Sequence, residues 1–178
     1  MRKLKLQELN RVNAEEFKRQ EKAPFYLILD NIRSGLNVGS AFRTADALAA
    51  SGIYLCGITA QPPHREILKT AIGATESVNW QYRSTTQEAI AELRADGVQI
   101  IGIEQTDESI LLPEFTYDSN QRYALVFGNE VRGISEEVLP LLDACLEVPQ
   151  FGTKHSLNIS VCLGVVLWDL FKRWKYKS

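Results

Sequence analysis

Short apolar runs alternate with helix-like segments along most of this 178-residue chain. The runs end at polar residues or glycines, as buried strands usually do. Between residues 37 and 50, by contrast, Val38, Phe42, Ala45 and Ala49 recur at helical spacing. Strands that alternate with helices predict the α/β fold class, with a mostly parallel sheet and helices on both faces.

The pattern divides the chain into six predicted strands and six predicted helices. Gly52 is predicted to end the second helix, Ser135 to cap the fifth, and residues 104–122 to form a long irregular connection. The predicted strands are residues 25–29, 53–58, 78–82, 98–103, 123–127 and 145–148. The predicted helices are residues 3–20, 37–50, 64–70, 85–97, 135–142 and 157–176.

The last predicted helix is apolar on nearly every side. Between residues 159 and 171 only Ser160, Gly164 and Asp169 interrupt it. A terminal helix cannot usually bury all its faces within so small a domain, so the pattern favours a homodimer in which a second copy covers one face. The alternative is a helix packed centrally within the monomer.

Length and composition indicate one globular domain, residues 23–178, preceded by a helical extension, residues 1–22. The extension has no apolar segment typical of a signal peptide, and the apolar run 161–168 is too short to span a bilayer. We therefore expect a cytoplasmic protein that is not bound to a membrane. The three cysteines lie in apolar runs, and neither they nor the two histidines have the spacing of a zinc site, so no metal is expected.

Charge is distributed unevenly along the chain. The net charge is −2 overall, but residues 1–22 carry seven Lys or Arg against four Glu, and residues 172–178 carry four basic residues and no acid. Basic ends on an acidic body are compatible with a surface that contacts phosphates. The alternative is that these lysines only increase solubility.

Three polar segments, residues 31–46, residues 127–135 and residues 148–160, lie where a predicted strand ends and a helix is about to begin. Open α/β sheets bind ligands at such points. In the first segment, Asn37 and Arg43 lie off the apolar stripe of their helix. Arg43 is therefore free to meet an anion, whereas Asn37 could instead be only a helix N-cap.

The other two segments offer further candidates. Gly128 would allow a ligand to approach the backbone closely, and Glu130 lies where the chain leaves the sheet, although Glu130 could merely pair with Arg132 or Arg43. Ser156 and Asn158 lie at a helix start, where they could act as caps or beside N–H groups that receive phosphate. The chain contains neither GxGxxG nor GxxxxGK[ST], which argues against a nucleotide-dependent doubly wound enzyme.

Taken together, these residues resemble the SpoU (TrmH-like) branch of the SPOUT RNA methyltransferases over roughly residues 24–172. That family carries an N-x-x-x-x-x-R stretch, a G-x-E-x-x-G-[IL]-S loop and an [IV]-P…S-L-N-[VI]-S segment, and often a central Gly-Ala, here Gly73-Ala74. The corresponding residues here are Asn37 to Arg43, Gly128 to Ser135, Val148-Pro149 and Ser156 to Ser160.

The resemblance implies S-adenosyl-methionine (AdoMet) bound at a C-terminal trefoil knot, in a homodimer that methylates a ribose 2′-hydroxyl of RNA without a metal. Such a knot would not follow from general folding rules. The implied catalytic residues are Arg43, Asn37, Glu130, Ser156 and Asn158. The implied cofactor-binding residues are Phe127, Gly128, Asn129, Val148, Ser156 and Leu157.

The residue types fit this chemistry. Arginine is a reluctant base, so Arg43 is expected to stabilise the forming alkoxide and to position a phosphate. Glu130 or an RNA phosphate could accept the hydroxyl proton, and His155 is a further candidate.

Transfer RNA is favoured over ribosomal RNA, because no extra RNA-binding domain precedes the predicted catalytic domain. Trp174 and Tyr176 stand among lysines of the basic tail, where they could stack on bases, or Trp174 could simply end the buried helix face. A non-catalytic RNA-binding protein with the same fold remains an alternative to the enzyme.

Overall fold

Seven parallel strands form a single sheet in the computed structural model, which describes residues 1–176. The strands are β1 (Ala23–Asp30), β2 (Ala50–Cys56), β3 (Trp80–Arg83), β4 (Gln99–Ile103), β5 (Ile110–Leu111), β6 (Tyr123–Phe127) and β7 (Ala144–Glu147). The helices are α1 (Ala14–Arg19), α2 (Gly35–Ala47), α3 (Arg65–Ala71), α4 (Ala74–Ser77), α5 (Thr86–Ala95) and α6 (Ile159–Tyr176).

The strands lie in the order β3-β2-β1-β6-β4-β7-β5. Strand β1 is central to the first half of this order: Leu29 pairs with Leu55 of β2 on one side and with Phe127 of β6 on the other. Because every pairing is parallel, the carboxyl ends of β1, β4, β6 and β7 open at the same edge of the sheet. This is the edge at which α/β proteins bind ligands.

Alternating side chains of the central strands pack into two hydrophobic clusters, one on each face of the sheet. Leu27 and Leu29 of β1 belong to a large cluster that includes residues of α2, α3 and α6, whereas Ile28 belongs to a second cluster with α5. This period of two is the geometric consequence of the pleat. The prediction of helices on both faces of a parallel sheet is therefore confirmed, and the C-terminal trefoil knot stays a prediction.

The predicted N-terminal helix over residues 3–20 is wrong. The chain forms a 3-10 turn at Leu6–Leu9, and α1 starts only at Ala14. Asn10 adopts a left-handed conformation with φ 48°, and the side chain of Asn13 accepts a hydrogen bond from the Glu16 N–H to cap α1. These two asparagines interrupt a segment whose apolar residues are too scattered to hold one continuous helix against the core.

The predicted helix over residues 135–142 is also wrong, because the chain forms only a 3-10 turn at Leu139–Leu141. Pro140 lacks an N–H group and cannot continue a helical ladder. Ser135 does not cap a helix: its N–H and its hydroxyl both donate to the Asp30 carboxylate, at 2.8 and 2.9 Å. The segment is fastened to β1 instead of winding into a helix.

Several predicted boundaries also shift, most clearly between α2 and β2. Helix α2 begins at Gly35 under a Ser34 cap and ends at Ala47, and Gly52 lies inside β2 rather than at a helix end. Ala49, with φ 50°, makes the turn between the two elements. The connection predicted to be irregular contains β5 and a 3-10 turn at Leu112–Glu114.

In the part of the chain from residue 1 to residue 176, no helix combines the length and the apolar character that crossing a membrane requires. Within the same residues, no three His, Cys, Asp or Glu side chains are grouped so that they could hold a metal ion. Cys56 is buried, whereas Cys145 and Cys162 are only half-buried.

Candidate active site

A cavity of about 750 Å³ opens at the carboxyl ends of β4, β6 and β7. Its walls come from the segment after β4, the loop after β6 and the segment that joins β7 to α6. All six residues predicted to bind the cofactor line it: Phe127, Gly128, Asn129, Val148, Ser156 and Leu157. The structure thus brings together residues that are up to 30 positions apart in the sequence.

The loop after β6 is shaped by Asn129. Its backbone exchanges two hydrogen bonds with Gly133, each 2.8 Å long, and its side-chain oxygen accepts the N–H groups of Val131 and Arg132. Its amide nitrogen donates to the carbonyl of Asn31 at 2.7 Å. The side chain of Asn129 therefore serves the loop itself, and this loop forms one wall of the cavity.

Gly128 has a structural role that the sequence analysis did not anticipate. A Cβ at Gly128 would lie 2.1 Å from both the carbonyl carbon of Gly133 and the nitrogen of Ile134. Such a distance is far inside van der Waals contact, so the missing side chain makes room for the loop as it folds back. Gly128 also lines the cavity, and close approach of a ligand to its backbone stays a prediction.

Two carboxylates that the sequence analysis did not single out anchor the loop. Asp30, fully buried at the end of β1, accepts hydrogen bonds from Ser135, from the Thr86 hydroxyl at 2.6 Å and from the Asn31 amide at 2.9 Å. Glu104, just after β4, accepts the Ile134 N–H at 3.0 Å. A charged residue that ends an apolar strand was the available signal for both.

A chain of hydrogen bonds joins the three polar segments. Glu130 accepts the backbone N–H groups of Arg33 and Ser34, at 3.0 and 3.1 Å, and the Asn37 amide at 3.1 Å. The Asn37 side-chain oxygen in turn accepts the Asn158 amide at 3.3 Å. Three of the five predicted catalytic residues, Asn37, Glu130 and Asn158, therefore lie in this hydrogen-bonded chain. A fourth, Ser156, lies on the adjoining wall of the cavity.

These contacts show how Asn37 and Glu130 are held, while the catalytic roles of both residues stay predictions. Ser34, and not Asn37, caps α2, because its hydroxyl accepts the Asn37 N–H at 3.3 Å. Glu130 forms no ion pair with Arg132 or Arg43 in the described residues. Partial burial raises the pKa of Glu130, but the hydrogen bonds from Arg33, Asn37 and Ser34 outweigh it and leave the pKa below its ordinary value.

Arg43 occupies the exposed side of α2 and does not line the cavity. Within residues 1–176 its guanidinium makes no hydrogen bond or ion pair. His155 lines the cavity beside Ser156. Asn158 caps α6, since its side-chain oxygen accepts the N–H of Ser160 at 2.9 Å, and it retains its amide for Asn37.

The cavity has an acidic wall. Of its charged lining residues, Glu104, Glu130, Glu136 and Glu147 are acidic, and Arg132 is the lone lysine or arginine. Such a wall favours a ligand that carries positive charge. Sequence reasoning did not single out Glu104, Glu136 or Glu147, and Glu104 fell in the segment that was predicted to be an irregular connection. Further lining residues not predicted include Ile103, Gln105, Thr106, Ile134, Leu146 and Gln150.

Sequence comparisons agree with this arrangement. Residues 24–168 match the family described as the SpoU rRNA Methylase family. A "23S rRNA (guanosine-2'-O-)-methyltransferase RlmB" from Neisseria meningitidis is 32% identical over 89% of this chain and 62% of its own length. A "tRNA (guanosine(18)-2'-O)-methyltransferase" from Borreliella burgdorferi is 28% identical over 85% of this chain and 67% of its own length. A "Putative TrmH family tRNA/rRNA methyltransferase YacO" from Bacillus subtilis is 31% identical over 86% of this chain and 61% of its own length.

A solved structure shares the fold. An AdoMet-bound rRNA methyltransferase from Sinorhizobium meliloti superposes with a TM-score of 0.78 at 31% identity, over 86% of this chain and 57% of that one. The chain spans about three fifths to two thirds of the length of the curated relatives described above. The family match covers more than half of the chain and includes all three polar segments. The chain therefore belongs to the SpoU methylase family, as its motifs predicted.

Proposed function

We propose that this chain transfers a methyl group from AdoMet to a ribose 2′-hydroxyl of RNA. The observation that carries the proposal is the hydrogen-bonded chain from Asn158 through Asn37 to Glu130 beside the cavity of about 750 Å³. A relative of this chain is named as a tRNA 2′-O-methyltransferase and another as a 23S rRNA 2′-O-methyltransferase. Transfer RNA is the proposed substrate, and ribosomal RNA is the alternative.

The cavity fits AdoMet in size and in charge. Its volume lies within the range of about 300–1,000 Å³ that is usual for small-ligand sites, and its carboxylates suit the sulfonium and amino groups of the cofactor. Val148 and Leu157 offer apolar surface to the adenosine, beside the backbone of Phe127 and Gly128. Bound AdoMet supplies an electrophilic methyl group, and every other requirement of the reaction falls on the protein and the RNA.

The hydrogen bonds of Glu130 favour a positioning role for this residue. A carboxylate that already accepts three N–H groups, with a lowered pKa, is a weak proton acceptor. We therefore assign the 2′-hydroxyl proton to an RNA phosphate or to His155. Asn37 and Asn158 would orient the ribose, and Arg43 would stabilise the developing alkoxide.

The proposed assembly is a cytoplasmic homodimer formed through α6. Val161, Val165 and Trp168 make one apolar stripe along this helix, and their exposed fractions are 52%, 42% and 50%. Unpartnered apolar stripes of this kind usually mark an interface. We expect Val165→Glu to yield a monomer in light scattering after size exclusion. Val131→Glu, at an exposed valine that lies on the loop after β6 and not on α6, should leave the dimer intact.

The activity is tested directly with the wild-type chain. Isothermal titration should detect AdoMet binding, and tritium from labelled AdoMet should enter RNA isolated from cells that lack the gene. Mapping of the labelled nucleosides then distinguishes transfer RNA from ribosomal RNA. RNA binding without methyl transfer would replace the enzyme by the non-catalytic alternative, and binding of ATP or NAD without AdoMet would point to a nucleotide-dependent enzyme.

A further inference from the structure

The basic residues of the catalytic domain divide into two groups. Residues 23–171 contain nine Lys or Arg, and three of these have protein partners: Arg83 with Glu92, Arg94 with Asp143, and Arg122 with the Asp96 carbonyl. The side chains of the other six make no hydrogen bond or ion pair within residues 1–176. Those six are Arg33, Arg43, Arg65, Lys69, Arg132 and Lys154.

Two of the unpaired residues belong to a single stripe on α3. Arg65, Leu68 and Lys69 follow the spacing i, i+3, i+4, which places them on one side of α3, and Ile72 is the residue that directly follows the helix. All four are exposed, with 45% of Leu68 and 68% of Ile72 accessible. The stripe thus combines two cations with two apolar side chains that the protein itself does not cover. We call these four residues the α3 stripe.

The α3 stripe has no acid of its own. The single acidic residue of α3, Glu66, lies against Gly35 of α2, where a Cβ on Gly35 would be 3.0 Å from the Glu66 carboxylate. Glu66 is exposed, but within the described residues neither Arg65 nor Lys69 forms an ion pair with it. A surface of this charge attracts a polyanion.

The conformation of Ile72 is a second, independent sign of function. Ile72 terminates α3 in the left-handed region, with φ 50°, which is disfavoured for a β-branched residue. Its side chain gains little burial in return, because most of it is exposed. A disfavoured conformation kept at an exposed residue favours a function for that side chain in addition to its role in ending the helix.

Helix α3 is fixed close to the candidate active site. The Thr70 hydroxyl donates to the Leu36 carbonyl at 2.9 Å, and a Cβ on Gly39 would lie 2.3 Å from the Ile67 carbonyl. Leu36 and Gly39 bracket Asn37 on α2, so α3 packs against the turn of α2 that presents Asn37. The α3 stripe is therefore held rigidly beside that turn.

We propose that the α3 stripe binds the RNA substrate next to its target nucleotide. Arg65 and Lys69 contact backbone phosphates, while Leu68 and Ile72 pack against a neighbouring base or ribose that is not stacked in a helix. This inference rests on the proposed function. A second copy of the chain is a poorer occupant, because a symmetric contact through this stripe would bring like charges together.

The test removes two charges from the α3 stripe. Arg65→Gln with Lys69→Gln should lower the affinity for bulk transfer RNA about tenfold or more at low salt, and the slope of log K against log salt should fall by about 1 for each residue. Arg94→Gln with Arg122→Gln is the matched control, since it removes two charges from residues that already have partners. AdoMet titration on each variant confirms that the cavity is intact.

A second variant separates recognition from stability. Ile72→Asn should raise the Tm by about 2–4 °C, because asparagine tolerates the left-handed conformation, and should still lower RNA affinity several-fold. The proposal would be overturned if the control and both stripe variants bound RNA with equal affinity and equal salt slope. It would also be overturned if either stripe variant changed the oligomeric state of the protein. Absence of methyl transfer by the wild-type chain would instead refute the proposed function, so the two failures are distinguishable.

Discussion

Three carboxylates around the cavity are fixed by hydrogen bonds within the protein, whereas the charged side chains of the α3 stripe are not. Around the cavity, Asp30, Glu104 and Glu130 are each held by hydrogen bonds from the backbone, so their positions are fixed before any ligand arrives. On the α3 stripe, Arg65 and Lys69 have no protein partners among the described residues and remain hydrated. The first arrangement suits a small ligand of defined shape, and the second suits a polymer whose phosphates can be met in several geometries.

The difference predicts different costs of substitution. Changes around the cavity should disturb the loop after β6, lower AdoMet affinity and respond weakly to salt, because the affected contacts are hydrogen bonds inside the protein. Changes on the α3 stripe should leave AdoMet binding intact and should act through salt-dependent RNA binding. Four substitutions test this distinction, and their expected effects decrease from the first to the last.

Arg43 belongs to neither region, since it is exposed on α2 and outside the cavity lining. Arg43→Ala should lower the rate of methyl transfer by at least about 100-fold, because it removes the charge that we propose stabilises the developing alkoxide. AdoMet affinity should stay within about twofold of the wild type, since Arg43 does not line the cavity. Single-turnover transfer of tritium and isothermal titration measure the two quantities. Retained transfer in Arg43→Ala would remove Arg43 from the reaction.

Gly128 tests the preformed loop. Gly128→Ala forces a Cβ to within 2.1 Å of the backbone at Gly133 and Ile134, so the loop has to move. Overpacking of this kind costs about 1–3 kcal/mol, and about 1.4 kcal/mol corresponds to a tenfold loss of affinity. We expect AdoMet affinity to fall about tenfold or more. Gly152→Ala is the matched control, because a Cβ there would meet nothing within 4 Å.

Glu130 tests the hydrogen-bonded chain through its charge. Glu130→Gln leaves an amide nitrogen that cannot accept an N–H, so the free energy of unfolding should fall by about 1 kcal/mol at neutral pH. Because the folded pKa of Glu130 is below its ordinary 4.5, the carboxylate stabilises the fold above that pH. The difference between wild type and Glu130→Gln should be constant above about pH 5 and should shrink as the pH falls through the lowered pKa.

Denaturant unfolding at several pH values measures this difference. Asn37→Ala provides the comparison, since it removes one donor to Glu130 without removing the charge. Its effect on stability should therefore depend less on pH than that of Glu130→Gln. A difference between wild type and Glu130→Gln that stays constant down to pH 3 would contradict the role assigned to this carboxylate.

The sequence predicted the parts of this molecule that depend on local pattern or on recognisable motifs. The strand at residues 123–127 was predicted with its observed bounds, and the six residues named as cofactor-binding, all of which line the cavity, were found through the family motifs. The loop after β6 was not predictable from local sequence. Ser135 has the local pattern of a helix cap, but its N–H donates to the Asp30 carboxylate, which lies 105 positions earlier in the chain. The α3 stripe was missed because the sequence pattern of exposed charges is the same for a surface that binds RNA and for one that only contacts solvent.

The basic tail gives the smallest effect and the closest contrast with the α3 stripe. Arg173 donates to the carbonyls of Leu112 and Phe115, and Trp174 packs against the core, so both serve the fold. Lys177 lies outside the described residues, and Tyr176 is exposed.

Lys172 lies 3.6 Å from the Asp169 carboxylate, and the Lys175 ammonium lies 5.2 Å from the centre of the Trp174 ring. Because both charges already have partners, we expect Lys172→Gln with Lys175→Gln to reduce the salt slope of RNA binding by less than about 1, against about 2 for the α3 stripe. The measurement is the same titration of bulk transfer RNA at several salt concentrations. A larger slope change in the tail variant than in the stripe variant would reverse the comparison and make the tail the principal phosphate contact.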